Sequence, residues 1–356
     1  MRTFASGSKQ VKRVTIKEVA AKADVSYQTV SKVINHQVEV LPETAERIWA
    51  AVEELGYRPN YTARSLRSKR SYTIGYTWSP TPHGLTNPIL DQFLQSMFHT
   101  AEQAGYYLLC FPYHQENERQ LNVYSELIDT GRVDGFILSS IEYEDPRIAF
   151  LFDRNFPFVG FGRSDDDMVF PYIDVDGGMG IYQSVLHLAE GGRCRIAALA
   201  WPEDSRVGNN RMAGYFHAME ECGLPIDISL IARGAGNYEF GYQACDELMQ
   251  LPLSMRPDAI VALNDYMAMG AMAAIQKQGL IPGEEVAVTG FDDNPIAQYL
   301  RPSLTTVQQP IWDIGQKVIE MLVYQLEEGK TPDPVCSLIP PRLIVRQSSQ
   351  PKGEKR

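Results

Sequence analysis

Val14-Thr15-Ile16-Lys17-Glu18-Val19-Ala20, followed closely by Val25-Ser26-Tyr27-Gln28-Thr29-Val30-Ser31-Lys32-Val33-Ile34-Asn35, decides how this chain begins. Thr15 to Glu18 has the S/T-x-x-E form of a capping box, in which the two side chains satisfy the open backbone donors of a helix start. Ile16, Val19, Ala20 and Ala23 then recur at helical spacing and predict a first helix of about eight residues. Asp24-Val25 breaks it. Ser26 is a good N-cap for a second helix from Tyr27 to about Asn35. Val30, Val33 and Ile34 fall on its apolar side, leaving Tyr27, Gln28, Ser31, Lys32 and Asn35 on the other. Two short helices about a tight turn, the second presenting such side chains, match a helix-turn-helix. Gln can bond adenine bidentately and Lys can bond guanine.

The flanking sequence supports the same head. A third helix is expected from Pro42, with Ala45, Ile48, Trp49, Val52 and Leu55 as its apolar stripe, Trp49 in the core, and Gly56 closing it. The next stretch, Tyr57-Arg58-Pro59-Asn60-Tyr61-Thr62-Ala63-Arg64-Ser65-Leu66-Arg67-Ser68-Lys69-Arg70, is too polar and too like-charged for a stable isolated helix. It reads either as a solvated linker or as a hinge helix that orders on DNA, with Leu66 wedged between base steps. Charge follows the same division. Residues 1–70 hold 13 Lys and Arg against 7 Asp and Glu, whereas the other 286 hold 20 against 37, so a basic head precedes an acidic body within a net charge of −11.

From Tyr72 onward, apolar strands alternate with amphipathic helices. Strands are expected at Tyr72–Trp78, Tyr107–Phe111, Gly135–Leu138, Phe158–Phe161, Ile196–Ala200, Ala259–Leu263 and Val286–Phe291. That alternation calls for parallel sheets covered by helices on both faces, with ligands bound beyond the carboxyl ends of the strands. Arg163, Arg211, Tyr238, Asn264-Asp265 and Asp292-Asp293 fall near such ends. Carboxylates, an amide, guanidiniums and aromatic faces together suit a polyhydroxylated ligand, and suit a purine nearly as well.

At 356 residues the chain is long enough for two or three domains. No stretch approaches the ~18 uninterrupted apolar residues of a membrane span, and Met1–Val14 has no apolar core of a secretory signal. Five scattered cysteines without a CxxC pair argue against a disulfide framework or a thiolate zinc site and fit a reducing cytoplasm. Enzyme signatures are absent. Gly329-Lys330-Thr331 lacks the earlier glycine of a phosphate loop, Asp176-Gly177-Gly178-Met179-Gly180 lacks dinucleotide spacing and reads as a helix entry, and the six histidines form no i, i+4 metal pair. No cofactor and no catalytic or metal-binding residues are expected. A sugar-acting enzyme or plain sugar-binding protein with an incidental basic head is the competing class.

The head stretches quoted above, with Glu54-Leu55-Gly56-Tyr57-Arg58-Pro59-Asn60, resemble the LacI/GalR family of bacterial transcriptional repressors. In the body, Gly160-Phe161-Gly162-Arg163, Arg211-Met212-Ala213-Gly214-Tyr215, Leu263-Asn264-Asp265-Tyr266-Met267-Ala268-Met269-Gly270 and Thr289-Gly290-Phe291-Asp292-Asp293 stand where that family places its motifs. The resemblance runs from about residue 14 nearly to the end, with two departures. Leu41 stands where a capping Ser is usual, and Asn87-Pro88-Ile89-Leu90 is aliphatic where relatives carry aromatic pairs. It implies an α/β protein: a three-helix helix-turn-helix head (1–58), a hinge helix (59–71), then a two-lobed periplasmic-binding-protein-like body of doubly wound parallel sheets. The lobes are expected at 72–172 with 308–334 and at 173–307 with 335–350, before a polar tail at 351–356. The chain is then expected to cross between lobes near Tyr172–Ile173, Thr305–Gln309 and Pro332–Cys336.

The implied DNA surface comprises Thr15, Ser26, Tyr27, Gln28, Thr29, Ser31, Lys32, Asn35, Tyr57, Asn60, Ala63 and Leu66, with Tyr27, Gln28 and Lys32 at base edges and Leu66 in the minor groove. The implied effector contacts are Trp78, Phe161, Arg163, Arg211, Tyr238, Asn264 and Asp292. Expected partners are double-stranded operator DNA, a small effector (a sugar before a purine or nucleoside, which could instead corepress), and a second copy of the chain. The tail has no heptads for a tetramerising coil. A dimer is expected through lobe helices including Phe93, Met97 and Met267–Met272, with no membrane contact.

Overall fold

In the computed structural model, which describes residues 14–34, 40–57, 70–78, 87–164 and 169–351, the chain forms two compact units, 1–71 and 72–356. Among the described residues, the first holds three helices, α1 (Ile16–Ala23), α2 (Tyr27–Ile34) and α3 (Pro42–Leu55). The capping box closes at α1: the Glu18 carboxylate accepts from Thr15 N at 2.6 Å and from the Thr15 hydroxyl at 2.9 Å. Asp24 ends the helix in the left-handed region at φ 51°, a conformation that Asp tolerates better than most residues. Ser26 Oγ caps α2 by accepting from Thr29 N at 3.0 Å. At α3, Leu41 supplies no side-chain cap, and Pro42 at the first position has no amide to satisfy.

Val19, Val30 and Ile48 are fully buried at the centre of this small core. Two expectations change here. Trp49 is 43% exposed, not core, because Ile48, Ala51, Val52 and Leu55 already fill the side of α3 that two short helices can cover. Ser31, expected on the exposed side of α2, is buried among the helices.

The second unit contains two six-stranded sheets. Its first strands and helices are β1 (Thr73–Trp78), α4 (Pro88–Gln103), β2 (Tyr107–Pro112), α5 (Asn117–Asp129), β3 (Gly135–Leu138), α6 (Pro146–Asp153), β4 (Phe158–Phe161) and β5 (Tyr172–Val175). There follow α7 (Gly177–Glu190), β6 (Ile196–Ala200), α8 (Arg206–Glu221), β7 (Ile231–Arg233), α9 (Tyr238–Met249), β8 (Ala259–Ala262), α10 (Asp265–Lys277), β9 (Ala287–Asp292) and β10 (Thr305–Gln308). The last are α11 (Ile311–Glu328), β11 (Cys336–Ile339) and β12 (Arg342–Ile344). The first sheet runs β11-β5-β4-β3-β1-β2, entirely parallel. The second runs β12-β10-β9-β8-β6-β7, parallel except for the antiparallel edge strand β12.

Strand pairing shifts two of the expected crossings. β5 pairs with β4 through Phe161↔Ile173, and β11 pairs with β5 through Ile339↔Val175. Residues 173–175 and 336–339 therefore belong to the first sheet, and the chain crosses after Val175, between Gln308 and Ile311, and between Ile339 and Arg342. Ser348 joins the second sheet as well, where its hydroxyl donates to Val288 O at 2.6 Å and accepts from Thr305 N at 2.8 Å.

A further correction concerns Phe93, Met97, Met267 and Met272. They are 4% exposed or less and pack into the chain's own core, which leaves them no surface to offer a second copy. No helix among the described residues is long and apolar enough to cross a membrane.

Candidate functional site

On the first unit, α2 presents Tyr27, 52% exposed, beside exposed Gln28 and Lys32. Thr29 and Ser26 are engaged with each other, hydroxyl to hydroxyl at 2.8 Å, and hold the start of the helix. Thr15 is engaged in the α1 cap. Tyr57 is half-buried against the three-helix core, which raises its phenol pKa. Asn35, Asn60, Ala63 and Leu66 lie outside the described residues.

In the second unit, a cavity of about 370 Å³ opens at the carboxyl ends of both sheets, the place where doubly wound folds bind ligands. From the second sheet come Trp201 after β6, Arg211 on α8, and Asp292, which ends β9 at φ 120°. The first sheet contributes Tyr76, Ser139, Ile141 and Phe161, with Ile89, Leu90 and Phe93 from α4. Gln309, in the crossing after β10, donates through Nε2 to Asp292 Oδ1 at 2.7 Å and holds that carboxylate in place.

Arg211 is positioned from three sides. Ser205 caps α8 by accepting from Gly208 N, so the helix starts at Arg206 and places Arg211 in its second turn. Its guanidinium lies 3.5 Å from the Phe291 ring centroid and 5.2 Å from that of Trp201, and Nη1 donates to Leu263 O. Gly177 leaves room for it, since a Cβ there would sit 3.1 Å from Arg211 Cγ. Burial lowers the Arg211 pKa to about 10, where it still carries its charge at neutral pH. Burial also raises the Asp292 pKa to about 6, while Arg211 and Gln309 pull the other way. Behind it, Asp265 accepts from the Thr306 hydroxyl at 2.5 Å and Asn294 N at 2.6 Å. Burial and the nearby Asp292 raise its pKa.

A second cluster ties the two sheets together at the cavity rim. Asp174, at the end of β5, accepts from Arg163 Nε at 2.9 Å and from Arg206 Nη2 at 3.0 Å. Glu142, after β3, accepts from Arg206 N at 2.7 Å at the start of α8. Desolvation raises the Glu142 pKa.

Of the seven expected effector residues, Phe161, Arg211 and Asp292 meet in this cavity. Arg163 stands behind Asp174. Asn264 caps α10, accepting from Met267 N at 2.8 Å and donating to Gly236 O at 2.8 Å, and is not in the lining. Tyr238 stacks on Tyr242 at 6.4 Å, and Trp78 ends β1; neither lines the cavity. Sequence reasoning missed Trp201, Ser139, Asp174 and Gln309. Each stands at or just past the end of a strand, the signal that singled out Asp292.

A helix-turn-helix unit followed in one chain by a two-sheet, ligand-cleft body defines a class: DNA-binding regulators built on a periplasmic-binding-protein-like domain. Family comparison agrees. The model for bacterial regulatory proteins of the lacI family matches residues 15–60, and that for a periplasmic binding protein-like domain matches residues 185–349. The HTH-type transcriptional repressor PurR of Escherichia coli is 33% identical over 339 residues, covering 94% of this chain and 96% of its own. Among solved structures, a LacI-family regulatory protein from Chloroflexus aggregans is 48% identical, with a TM-score of 0.75 over 78% of this chain and 99% of that one. The transcriptional regulator CelR in complex with cellobiose is 30% identical, with a TM-score of 0.71 over 95% of this chain and 100% of that one. The chain belongs to the LacI family and is a DNA-binding transcriptional repressor of that family. Its relatives are transcriptional regulators rather than enzymes.

Proposed function

We propose that this repressor acts as a homodimer on a pseudo-palindromic operator and that a sugar bound in the cleft sets its DNA affinity. The observation carrying the sugar reading is the Asp292–Gln309 pair beside Arg211 and Trp201. A carboxylate held by an amide accepts from hydroxyl pairs, a guanidinium donates to ring oxygens, and an indole covers the C–H face of the ring. Similarity to a regulator solved with cellobiose supports the same class. Two copies reading two half-sites follow from the helix-turn-helix, with Tyr27, Gln28 and Lys32 at base edges and Leu66 at the operator centre. A ligand that favours one lobe arrangement changes operator affinity by linkage, and operator DNA changes ligand affinity by the same factor.

A purine is the second reading, favoured by the 33% identity to PurR across nearly the whole chain. Calorimetry of the full chain against neutral sugars and purine bases separates the two. The sugar reading expects a saccharide to bind and Asp292→Asn to weaken it. Binding of a purine base alone overturns that reading.

A further inference from the structure

A second cavity, of about 420 Å³, abuts the first. Ile89, Asp292 and Gln309 line both, so the hydrogen-bonded Asp292–Gln309 pair is a bar with one space on either side. The farther space repeats the chemistry of the nearer one. Trp201, Asp292 and Asn210 serve the first; Trp312, Asp293 and Gln92 serve the second.

Trp312, in the first turn of α11, is 39% exposed, and its backbone is fixed by the Ser96 hydroxyl, which donates to Trp312 O at 2.5 Å. Asp293 is held at both oxygens, by Arg346 Nη2 at 2.7 Å and Gln308 Nε2 at 2.8 Å. Among the described residues, the lining contains Asp292, Asp293 and Asp313 but no Lys or Arg. Arg346 neutralises Asp293 from outside the lining, and no described lining residue offers a cation to an entering anion, whereas neutral hydroxyls find acceptors at carboxylates and amides.

We propose that the effector is a neutral oligosaccharide of at least two rings, one in the Arg211 cavity and the next against Trp312, its glycosidic linkage crossing the Asp292–Gln309 bar. This rests on the sugar reading of the cleft and adds a second subsite to it. Trp312 is a specificity-determining residue: it offers the second ring an apolar face and leaves a single ring untouched. A sugar phosphate is disfavoured at the second position, where no described lining residue offers its anion a cation.

The test is calorimetry of the full chain with glucose, galactose, cellobiose, maltose, lactose and trehalose. At least one disaccharide is expected to bind about tenfold or more tighter than its component monosaccharides. Trp312→Ala is expected to remove about tenfold from that disaccharide's affinity while leaving the monosaccharide's unchanged. Trp312→Phe, which keeps a ring, is expected to retain most of it, and matching melting curves for the three proteins check their folding. Equal affinity for one ring and two, or a disaccharide indifferent to Trp312→Ala, overturns the subsite while leaving the sugar reading intact. Binding of purine bases with no saccharide bound overturns both.

Discussion

The two walls of the cleft differ in kind. The second sheet brings Arg211, Asp292 and Trp201, side chains with direction and charge, whereas the first sheet and α4 bring mostly apolar area in Ile89, Leu90, Phe93, Ile141 and Phe161, beside Tyr76, Ser139 and Asp174. One wall supplies orientation through bonds of fixed geometry, and the other supplies apolar area and excludes water. Division of that kind makes affinity depend on both lobes at once. Arg206, Glu142 and Asp174 matter for a further reason, since they join the walls, Arg206 and Asp174 lining the cavity as well.

Removing the charge from the polar wall is the severest way to break this comparison. Arg211→Ala deletes the buried guanidinium that the proposed function sets against an effector oxygen, and a hydrogen bond from a charged group is worth ~1.5–3 kcal/mol. Effector affinity is expected to fall about 10- to 100-fold by calorimetry, and an unchanged value contradicts the assignment of the polar wall. Arg206→Ala attacks the join instead. Asp174 keeps Arg163 but loses its partner on α8, with both side chains of the lost pair about nine-tenths buried. A stability loss of ~2–3 kcal/mol is expected in denaturant unfolding. Arg206→Lys should recover part of it, and a melt unaffected by either variant removes the join from the account.

On the apolar wall the effect is expected to be smaller and less directional. Phe161→Ala, which removes a ring tilted against that of Phe93 at 4.8 Å, is expected to weaken every saccharide by a similar factor of about ten, because lost area costs ~25 cal/mol per Å² whatever the ligand's stereochemistry. A variant that changes which sugar is preferred contradicts the division between walls. The smallest expected effect is one of pH. Asp292 titrates at about 6 in the folded chain, above the ordinary carboxylate value, chiefly because it is buried. Between the ordinary value and about 6 the folded state holds a proton that the unfolded state has lost, so this group's stability contribution is greatest at low pH and fades as pH rises through about 6. Ligand hydroxyls favour the carboxylate, so effector affinity runs the opposite way, rising several-fold from pH 5 to 7. Asp265 shares the apparent titration, and Asp292→Asn is expected to flatten it.

The head was the more legible part because its signals are local. A Thr and a Glu three residues apart, a Ser before a helix and a Gly after one each act within a single turn. Trp49 shows the limit: apolar spacing marks a stripe, but how wide a stripe the neighbouring helices can cover is a tertiary fact. In the body, Arg211 and Asp292 were read from strand ends, and Phe161 from the family resemblance. Asp174 and Gln309 were not, because β5 and β10 are four-residue strands containing Asp, Thr and Gln, and their membership of the sheets is decided by pairing with β4, β9 and β11. Asn264 stands at a strand end too, yet the α10 cap uses its amide oxygen and Gly236 O takes its amide nitrogen. The position alone does not distinguish a ligand contact from a cap.

The most direct test of ligand control is operator affinity with and without effector. The full chain would be titrated by fluorescence anisotropy onto a duplex that it has selected from a random pool, at fixed salt because phosphate contacts make the affinity steeply salt-dependent. The account predicts that saturating effector shifts the operator dissociation constant at least tenfold, and that Arg211→Ala abolishes the shift while leaving effector-free DNA binding near that of the native chain. An effector that occupies the cleft by calorimetry yet leaves operator affinity unchanged would contradict it.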